Sequence, residues 1–360
     1  MTVAFSWDVS KGEDREEAIR RLLRNALEKG AVDAVLVPAE GPGGSGIVNM
    51  FTTRPSDIDA SKPLARSMAQ FGPRDLVRLT EPGGKPIRIA ALLKPCECRA
   101  VVELAKLKQI ELEHVVLMAP DCEGTVELKE YAQVADGVAV PTRMACDICR
   151  SRVAQEPVDI ALGSFGVKDG TVLLVANSEK GQAFAEAAGA KAAELTDARK
   201  KAVKEAIEDG EKAWDKQEAA SREKYSDLGV FLAALSPCIK CMNCQNVCPV
   251  CYCKECLLET DAFNPSAGSL ADKAKRRGSL RMPVETVQFH LTRMAHVMTA
   301  CVMCGQCQSA CPSDIPLVEM YAGINRRIQD LFDYRSGYDL EQAPPFTCFY
   351  EHEGFEVGSD

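Results

Sequence analysis

Hydrophobic residues recur with a helical period near the amino terminus and in short continuous runs after it. Residues 13–29 carry one apolar stripe with charged residues opposite, which predicts an amphipathic helix that Gly30 can end. The stripe consists of Ala18, Ile19, Leu22, Leu23, Ala26 and Leu27. Short apolar runs predict strands at 31–38, 46–52, 87–93, 115–119, 158–162 and 171–176, with a helix at 98–108 between two of them. This alternation predicts an α/β domain built on a mixed sheet.

The second half has a different pattern. Residues 180–225 are rich in Ala, Lys and Glu, which predicts one or two exposed connecting helices, and further helices are expected at 284–300 and 317–332. We therefore expect an α/β domain at 1–180, charged connecting helices at 181–235, a cysteine-rich module at 236–335 and a tail at 336–360. For the cysteine-rich module we expect an α+β, ferredoxin-like fold.

Composition and charge exclude several function classes. With 360 residues, of which 46% are hydrophobic, the chain can bury real cores. Its formal net charge of −9 argues against a protein that binds a nucleic-acid backbone. The first seventeen residues show no signal-peptide pattern, and no apolar run approaches the ~18 residues of a membrane-spanning helix. These features predict a soluble, cytoplasmic protein without membrane insertion.

The chain has 17 cysteines, and they are clustered. Five lie between Cys96 and Cys149, and twelve lie from Cys238 onward. Since cytoplasmic thiols stay reduced, clustered cysteines in such a chain indicate metal binding rather than disulfides.

Two cysteine runs have the spacing C-x2-C-x2-C-x3-C-P, which is typical of loops that bind [4Fe–4S] clusters. In proteins with two such runs, the fourth cysteine of each run binds the cluster of the other run. One cluster is therefore expected at Cys238, Cys241, Cys244 and Cys311, and a second at Cys301, Cys304, Cys307 and Cys248. Zinc sites usually have paired C-x2-C motifs with longer gaps, which these runs lack.

Three more cysteines, Cys251, Cys253 and Cys256, follow the first run in the segment CPVCYCKEC. They could bind a fourth cluster, with Cys348 as one spare ligand. They could equally serve as alternative ligands or as neighbours of the ligands already assigned.

Four cysteines of the α/β half could share a third cluster. Cys96 and Cys122 each follow a predicted strand, and Cys146 and Cys149 form a C-x2-C pair. Because strand ends at one edge of an open sheet converge, these thiols can meet there, leaving Cys98 over. Zinc binding or simple burial remains an alternative explanation at this point.

Two glycine-containing loops follow predicted strands, and such loops can approach a phosphate closely. The first contains Gly41, Gly43 and Gly44, and the second contains Gly163, Ser164 and Gly166. Neither loop matches G-x-G-x-x-G, so both could be plain surface loops. His290 and His296 are expected to lie on a packed or solvated helix face rather than to act in catalysis.

The order and spacing of these segments resemble the coenzyme F420 hydrogenase/dehydrogenase beta-subunit family, which includes the beta subunit of F420-dependent formate dehydrogenase. Four segments carry the resemblance, at 92–125, 145–166, 238–261 and 301–317. The resemblance implies FAD in the α/β domain and a cluster on Cys96, Cys122, Cys146 and Cys149. It also implies an oxidoreductase subunit that exchanges hydride with the deazaflavin coenzyme and passes single electrons to a catalytic dehydrogenase subunit.

The chain departs from the family at its first helix. The family carries a small-residue segment, GG-x-V-T-A, where this chain has KGEDREEAIRRLLRNA. The alternative function is therefore a flavin-free iron–sulfur adapter between a dehydrogenase and a heterodisulfide-reductase-like or flavin-bifurcating complex.

Overall fold

The structure of the protein is a computed structural model. It describes residues 3–44, 46–68, 72–81, 84, 86–135, 138–155, 157–168, 170–260, 266–279 and 284–348.

One mixed sheet of eight strands forms the amino-terminal part, in the order β3-β2-β4-β5-β6-β7-β1-β8. The strands are β1 (Val3–Asp8), β2 (Ala34–Glu40), β3 (Ile47–Thr52), β4 (Ile89–Leu92), β5 (Val115–Pro120), β6 (Ile160–Gly163), β7 (Thr171–Ala176) and β8 (Lys191–Ala193). Strands β2, β4, β5 and β6 are parallel neighbours, whereas β3, β7, β1 and β8 pair antiparallel. The predicted mixed sheet is confirmed, and it extends to residues 191–193.

Helices cover the sheet and form the rest of the chain. They are α1 (Arg15–Glu28), α2 (Gly72–Leu79), α3 (Pro95–Lys106), α4 (Tyr131–Ala135), α5 (Met144–Asp147), α6 (Glu179–Ala188), α7 (Asp197–Lys224), α8 (Leu228–Leu235), α9 (Asn243–Asn246), α10 (Ala267–Arg277), α11 (Val284–Val297), α12 (Gln306–Ser309) and α13 (Leu317–Leu331). Apolar residues of α1 and α6 cover one face of the sheet, and those of α2 and α3 cover the other.

The cysteine-rich module has its own apolar core, made by α8, α11, α13 and the cysteine loops. After Ala193, the described residues form helices and loops without a strand. The strands expected of an α+β, ferredoxin-like module are therefore not found in that region, and the module is helical where it is described.

Helix α7 is more than the solvated connector that its composition predicts. Trp214 is buried in its middle, and the helix packs lengthwise on α13 of the cysteine-rich module. Gly210 of α7 lies so close to the carbonyl of Cys149 that a Cβ there would come within 2.5 Å of the oxygen. The helix thus connects the sheet domain to the cysteine-rich module through close packing.

Candidate metal centres

The parallel strands bring Cys96 and Cys122 to one edge of the sheet. Strand β4 ends at Leu92 and leads into α3, whose second residue is Cys96. The neighbouring parallel strand β5 ends at Pro120, two residues before Cys122. The carboxyl ends of neighbouring parallel strands lie together, so this part of the predicted geometry is present.

Close backbone packing adds Cys146 to this edge. Gly124 has a φ of +96°, and a Cβ on it would lie 3.2 Å from the Cβ of Cys146. The next residue, Thr125, approaches the Cys146 sulfur with its backbone nitrogen at 3.3 Å and its hydroxyl at 3.4 Å. A side chain at position 124 would push the two segments apart.

All four predicted thiols of the α/β half line one cavity, and Cys304 of the second run lines it too. Burial raises the pKa of Cys149 to about 11, and it raises the pKa of Cys96 as well, with help from the Cys304 thiol. We call the residues Cys96, Cys122, Cys146 and Cys149 the sheet-edge cage. Cys98 lies outside it, because its thiol faces the carbonyl oxygens of Leu93 and Met118.

Positive side chains surround the sheet-edge cage. Buried Arg143 donates to the carbonyl of Cys304 at 3.1 Å and to the hydroxyl of Ser309 at 3.2 Å. Arg152 donates to the carbonyl of Cys146 at 3.0 Å. The Nε atoms of both arginines are buried and have no hydrogen-bond partner among the described residues. Such donors suit a nearby group that carries negative charge.

The two cysteine runs have the same backbone conformation. The residue two positions after the first cysteine, Lys240 or Met303, has a left-handed φ of +56° in both runs. The residue after the second cysteine is also left-handed, with φ of +60° at Met242 and +77° at Gly305. Each loop then enters a one-turn helix, α9 or α12, and these two helices lie against each other.

The fourth cysteine of each run lies beside the other run. Burial, together with the neighbouring thiols of Cys311 and Cys241, raises the pKa of Cys238. Burial and the neighbouring Cys248 thiol raise the pKa of Cys301 to about 12. Cys311 thus lies near Cys238 and Cys248 lies near Cys301, as the predicted exchange of the fourth ligands requires, and the two complete sets of four ligands stay a prediction.

Helix α11 supplies polar side chains between and beside the two runs. His290 is 1% exposed, and its Nε2 atom lies 3.3 Å from the sulfur of Cys238. Burial and the nearby charge of Arg293 lower the pKa of His290 to about 4. Arg293 donates to the carbonyl of Cys244 at 2.9 Å and to the hydroxyl of Tyr321. His290 lies on a packed helix face, as the sequence predicted. The sequence did not predict its contact with Cys238, which is one of the expected cluster ligands.

The three additional cysteines line a separate cavity of about 510 Å³. A hydrogen bond with the Cys251 thiol lowers the pKa of Cys248 to about 5 and raises the pKa of Cys251. Cys348 lies 3.5 Å from the carbonyl of Pro344 and is not among the residues that line this cavity. A metal role for Cys251, Cys253 and Cys256 stays a prediction.

In both glycine-containing loops, several of the backbone amides donate hydrogen bonds within the protein, and a role in cofactor binding stays a prediction. In the first loop, the amide of Gly41 donates to the carbonyl of Gly46, and that of Gly44 donates to the carbonyl of Gly41. Gly43 lies in the same tight turn with a φ of +74°.

In the second loop, the amides of Ser164 and Phe165 both donate to the carboxylate of Asp121 at 2.8 Å. Asp121 also forms a buried ion pair with Arg199, which lies against Gly163. A Cβ on Gly166 would lie 2.5 Å from the carbonyl of Ala198 in α7. In this structure the amides of Ser164 and Phe165 donate to Asp121 and not to a phosphate. The loop is held in this position by its packing against the start of α7.

A cavity of about 490 Å³ lies between the sheet and α7. Ala161 and Val175 of the sheet form part of its wall, and Asn177, Arg199 and Tyr338 contribute polar groups. A cavity of this volume is large enough for a small molecule. Tyr338 hydrogen-bonds to Ser151, whose amide donates to the Cys149 sulfur at 3.4 Å, so this cavity adjoins the sheet-edge cage.

Within the ranges that the structure describes, no group of three or more His, Cys, Asp or Glu side chains is close enough to hold a single metal ion. No helix in those ranges is long and apolar enough to cross a membrane.

The three sets of four cysteines suit [4Fe–4S] clusters by their donor chemistry. Iron–sulfur clusters bind thiolates, and a bound metal centre favours the deprotonated form of the thiols that coordinate it. Backbone amides point at sulfur in the first run and in the sheet-edge cage, as for Lys240 and Cys238 at 3.4 Å. The unpartnered Nε atoms of Arg143, Arg152 and Arg293 offer further donors beside these thiols.

Comparisons with known proteins support iron–sulfur binding by the two cysteine runs. Residues 234–315 match the family model of the 4Fe–4S dicluster domain, and residues 125–201 match that of the carboxyl-terminal part of the coenzyme F420 hydrogenase/dehydrogenase beta subunit. The chain is 27% identical to F420-dependent formate dehydrogenase subunit beta of Methanocaldococcus jannaschii, over 92% of this chain and 94% of that protein. It is 26% identical to F420-dependent formate dehydrogenase 1 subunit beta of Methanococcus maripaludis, over 91% of this chain and 92% of that protein.

Among solved structures, a chain of the F420-reducing [NiFe] hydrogenase complex from Methanosarcina barkeri aligns with a TM-score of 0.48 and 17% identity, covering 61% of this chain and 92% of that one. The family match at 125–201 includes Cys146 and Cys149, and the dicluster match includes both cysteine runs. The similarity to the two methanogen proteins extends over 92% and 91% of this chain, so it spans the regions of both family-model matches. The chain is thus similar along most of its length to beta subunits of F420-dependent formate dehydrogenase, and its segment 125–201 matches the coenzyme F420 hydrogenase/dehydrogenase beta-subunit model, in agreement with the resemblance that its cysteine motifs and their order indicated.

Proposed function

We propose that the protein is an iron–sulfur electron-transfer subunit of a multi-subunit oxidoreductase. The observation that supports this proposal is the proximity of the sheet-edge cage to the two cysteine runs. Cys304 lines the cavity of the sheet-edge cage, and Cys248 lies beside Cys301 across the two runs. A [4Fe–4S] cluster supplies one-electron chemistry, and adjacent clusters form a path for single electrons.

The chain's own residues contribute position and charge. Arg143 holds the second cysteine run against the sheet edge through the Cys304 carbonyl. Arg293 holds the first run through the Cys244 carbonyl. Because both guanidinium groups are buried near several thiols, they stabilise negatively charged centres there.

The proposed electron carriers follow from the relatives. The similar proteins belong to F420-dependent formate dehydrogenases. We propose an F420-type hydride carrier, FAD as the group that splits the hydride into single electrons, and a formate-dehydrogenase-type catalytic subunit as partner. We propose the cavity between the sheet and α7, which adjoins the sheet-edge cage, as the site of the flavin ring.

A second function is favoured by one observation. The amides of Ser164 and Phe165 are occupied by Asp121, and Asp121 is held by Arg199 in a buried pair. A loop that binds its own carboxylate is not available to a flavin phosphate. This favours a flavin-free adapter that passes electrons between a dehydrogenase and a heterodisulfide-reductase-like or flavin-bifurcating complex.

Anaerobic purification of the native complex, followed by separation of its subunits, tests both functions. We expect about twelve irons on this chain, for three clusters of four. About one FAD per chain would support the flavin-linked function, and a cluster-replete chain without flavin would support the adapter. A chain that carries zinc instead of iron would refute both.

A further inference from the structure

His290 is buried against a predicted cluster ligand. It lies on α11, 52 residues from Cys238 in the sequence, with Nε2 3.3 Å from the Cys238 sulfur. The Phe289 ring packs edge-on against the imidazole, with the ring centroids 5.0 Å apart. The ring is therefore held in place beside the sulfur by neighbouring packing.

The proton of this imidazole belongs on Nε2. A thiolate can only accept a hydrogen bond, so the nitrogen nearest to it must donate. The other nitrogen, Nδ1, is buried and has no hydrogen-bond partner among the described residues. A neutral ring with its proton on Nε2 makes the one hydrogen bond that this environment offers.

The second cysteine run lacks this contact. Cys301 occupies the equivalent position, and the residue two places on is Met303 instead of Lys240. The Cys301 thiol faces the Met303 sulfur at 3.8 Å, and no side-chain nitrogen of the described residues hydrogen-bonds to it. The two runs share their backbone conformation but differ in the polar groups at their first ligand.

A hydrogen bond to a ligand sulfur favours the more negative, reduced cluster and so raises the reduction potential. We propose that His290 raises the reduction potential of the cluster held by Cys238, Cys241, Cys244 and Cys311. His290 is a positioning residue, since it acts through Cys238. The inference rests on the proposed function, because it requires a cluster at this run.

Three variants of the intact, cluster-loaded protein test the inference. H290F removes the hydrogen bond but keeps a flat ring, H290Q retains an amide donor, and H296Q changes an exposed histidine on the same helix as a control. We expect H290F to lower the reduced-to-oxidised ratio of one cluster about tenfold at a fixed potential, a shift of about 59 mV for one electron. H290Q should stay closer to the wild type, and H296Q should match it. Redox titration followed by electron paramagnetic resonance measures the ratio for each cluster.

The outcomes separate the inference from the proposed function. A wild-type chain without iron would refute the proposed function. A fully iron-loaded H290F with the wild-type potential would refute the inference alone, and so would equal shifts in H290F and H290Q.

If H290F fails to assemble its clusters, electron paramagnetic resonance on protein containing ¹⁵N-labelled histidine tests whether His290 contacts the cluster. We expect a ¹⁵N coupling to the spin of one reduced cluster, present in wild type and in H296Q. Its absence in iron-loaded protein would overturn the inference.

Discussion

The buried pair of Asp121 and Arg199 allows a quantitative test of how the sheet edge is held. Its side chains are 0% and 4% exposed, respectively, and Asp121 also accepts two backbone amides at 2.8 Å. The substitution D121N removes the charge but keeps the shape of the side chain. It leaves the Arg199 guanidinium buried without a counter-charge, which typically costs about 3–5 kcal/mol.

The chain offers a matched control in the pair of Asp33 and Arg88. This pair also makes two carboxylate–guanidinium contacts, at 2.7 and 3.1 Å, but its side chains are 47% and 51% exposed. Exposed ion pairs contribute about 0.2–1 kcal/mol, because water and salt screen them. D33N should therefore have a small effect.

Hydrogen exchange on the cluster-loaded protein, read by mass spectrometry, measures the local effect. At 1.4 kcal/mol per tenfold, D121N should speed exchange in the peptide containing Ser164 and Phe165 about 100-fold or more. D33N should change exchange around its own site less than about tenfold. Equal effects of the two variants would refute the conclusion that burial makes the Asp121 pair important.

Further predictions concern the cysteines and the carboxyl-terminal contact. C311S should remove the paramagnetic signature of the cluster at the first cysteine run, because the fourth ligands cross over; loss of the other signature alone would contradict this. C146S should lower the iron content by about four per chain, whereas C98S, outside the cage, should not; equal iron contents would disprove the third cluster. E103Q should lower the free energy of unfolding by about 3–5 kcal/mol, because the buried Glu103 carboxylate pairs with Lys106 at 2.9 Å and accepts a hydrogen bond from Tyr334 at 2.7 Å. Residues 334–338 should then be cleaved faster by proteases, and an unchanged rate of cleavage would contradict this prediction.

Much of the sheet could be predicted because its central strands are short apolar runs. Strands β4, β5 and β6 are buried on both faces, so nearly every residue in them is hydrophobic. Strand β1 was missed, since its sequence VAFSWD contains Ser6 and Asp8 and gives no continuous apolar run. It pairs with β7, which lies more than 160 residues later in the chain.

The matching loop conformation of the two cysteine runs could be predicted from their identical spacing, because three cysteines of each run lie on one tight loop. The contact of His290 with Cys238 could not, since a helical pattern shows which side is buried but not which residue it meets. The same limit applies to the loop at 163–166. Its amides are taken by Asp121, 43 residues earlier, and no local pattern shows that competition.

The contacts between the sheet edge and the cysteine-rich module bear on how electrons could cross between them. A Cβ on Gly305 would lie 2.5 Å from the Cβ of Ala145, so the loop after Cys304 touches the helix that carries Cys146. Arg99 of α3 donates to the carbonyls of Val302 and Ser336, at 3.2 Å and 2.8 Å. Contacts this close leave little freedom for the two parts to move independently. The separation between the sheet-edge cage and the second run is therefore set by this packing, so any cluster bound in the cage and any cluster bound by the second run would keep a fixed spacing.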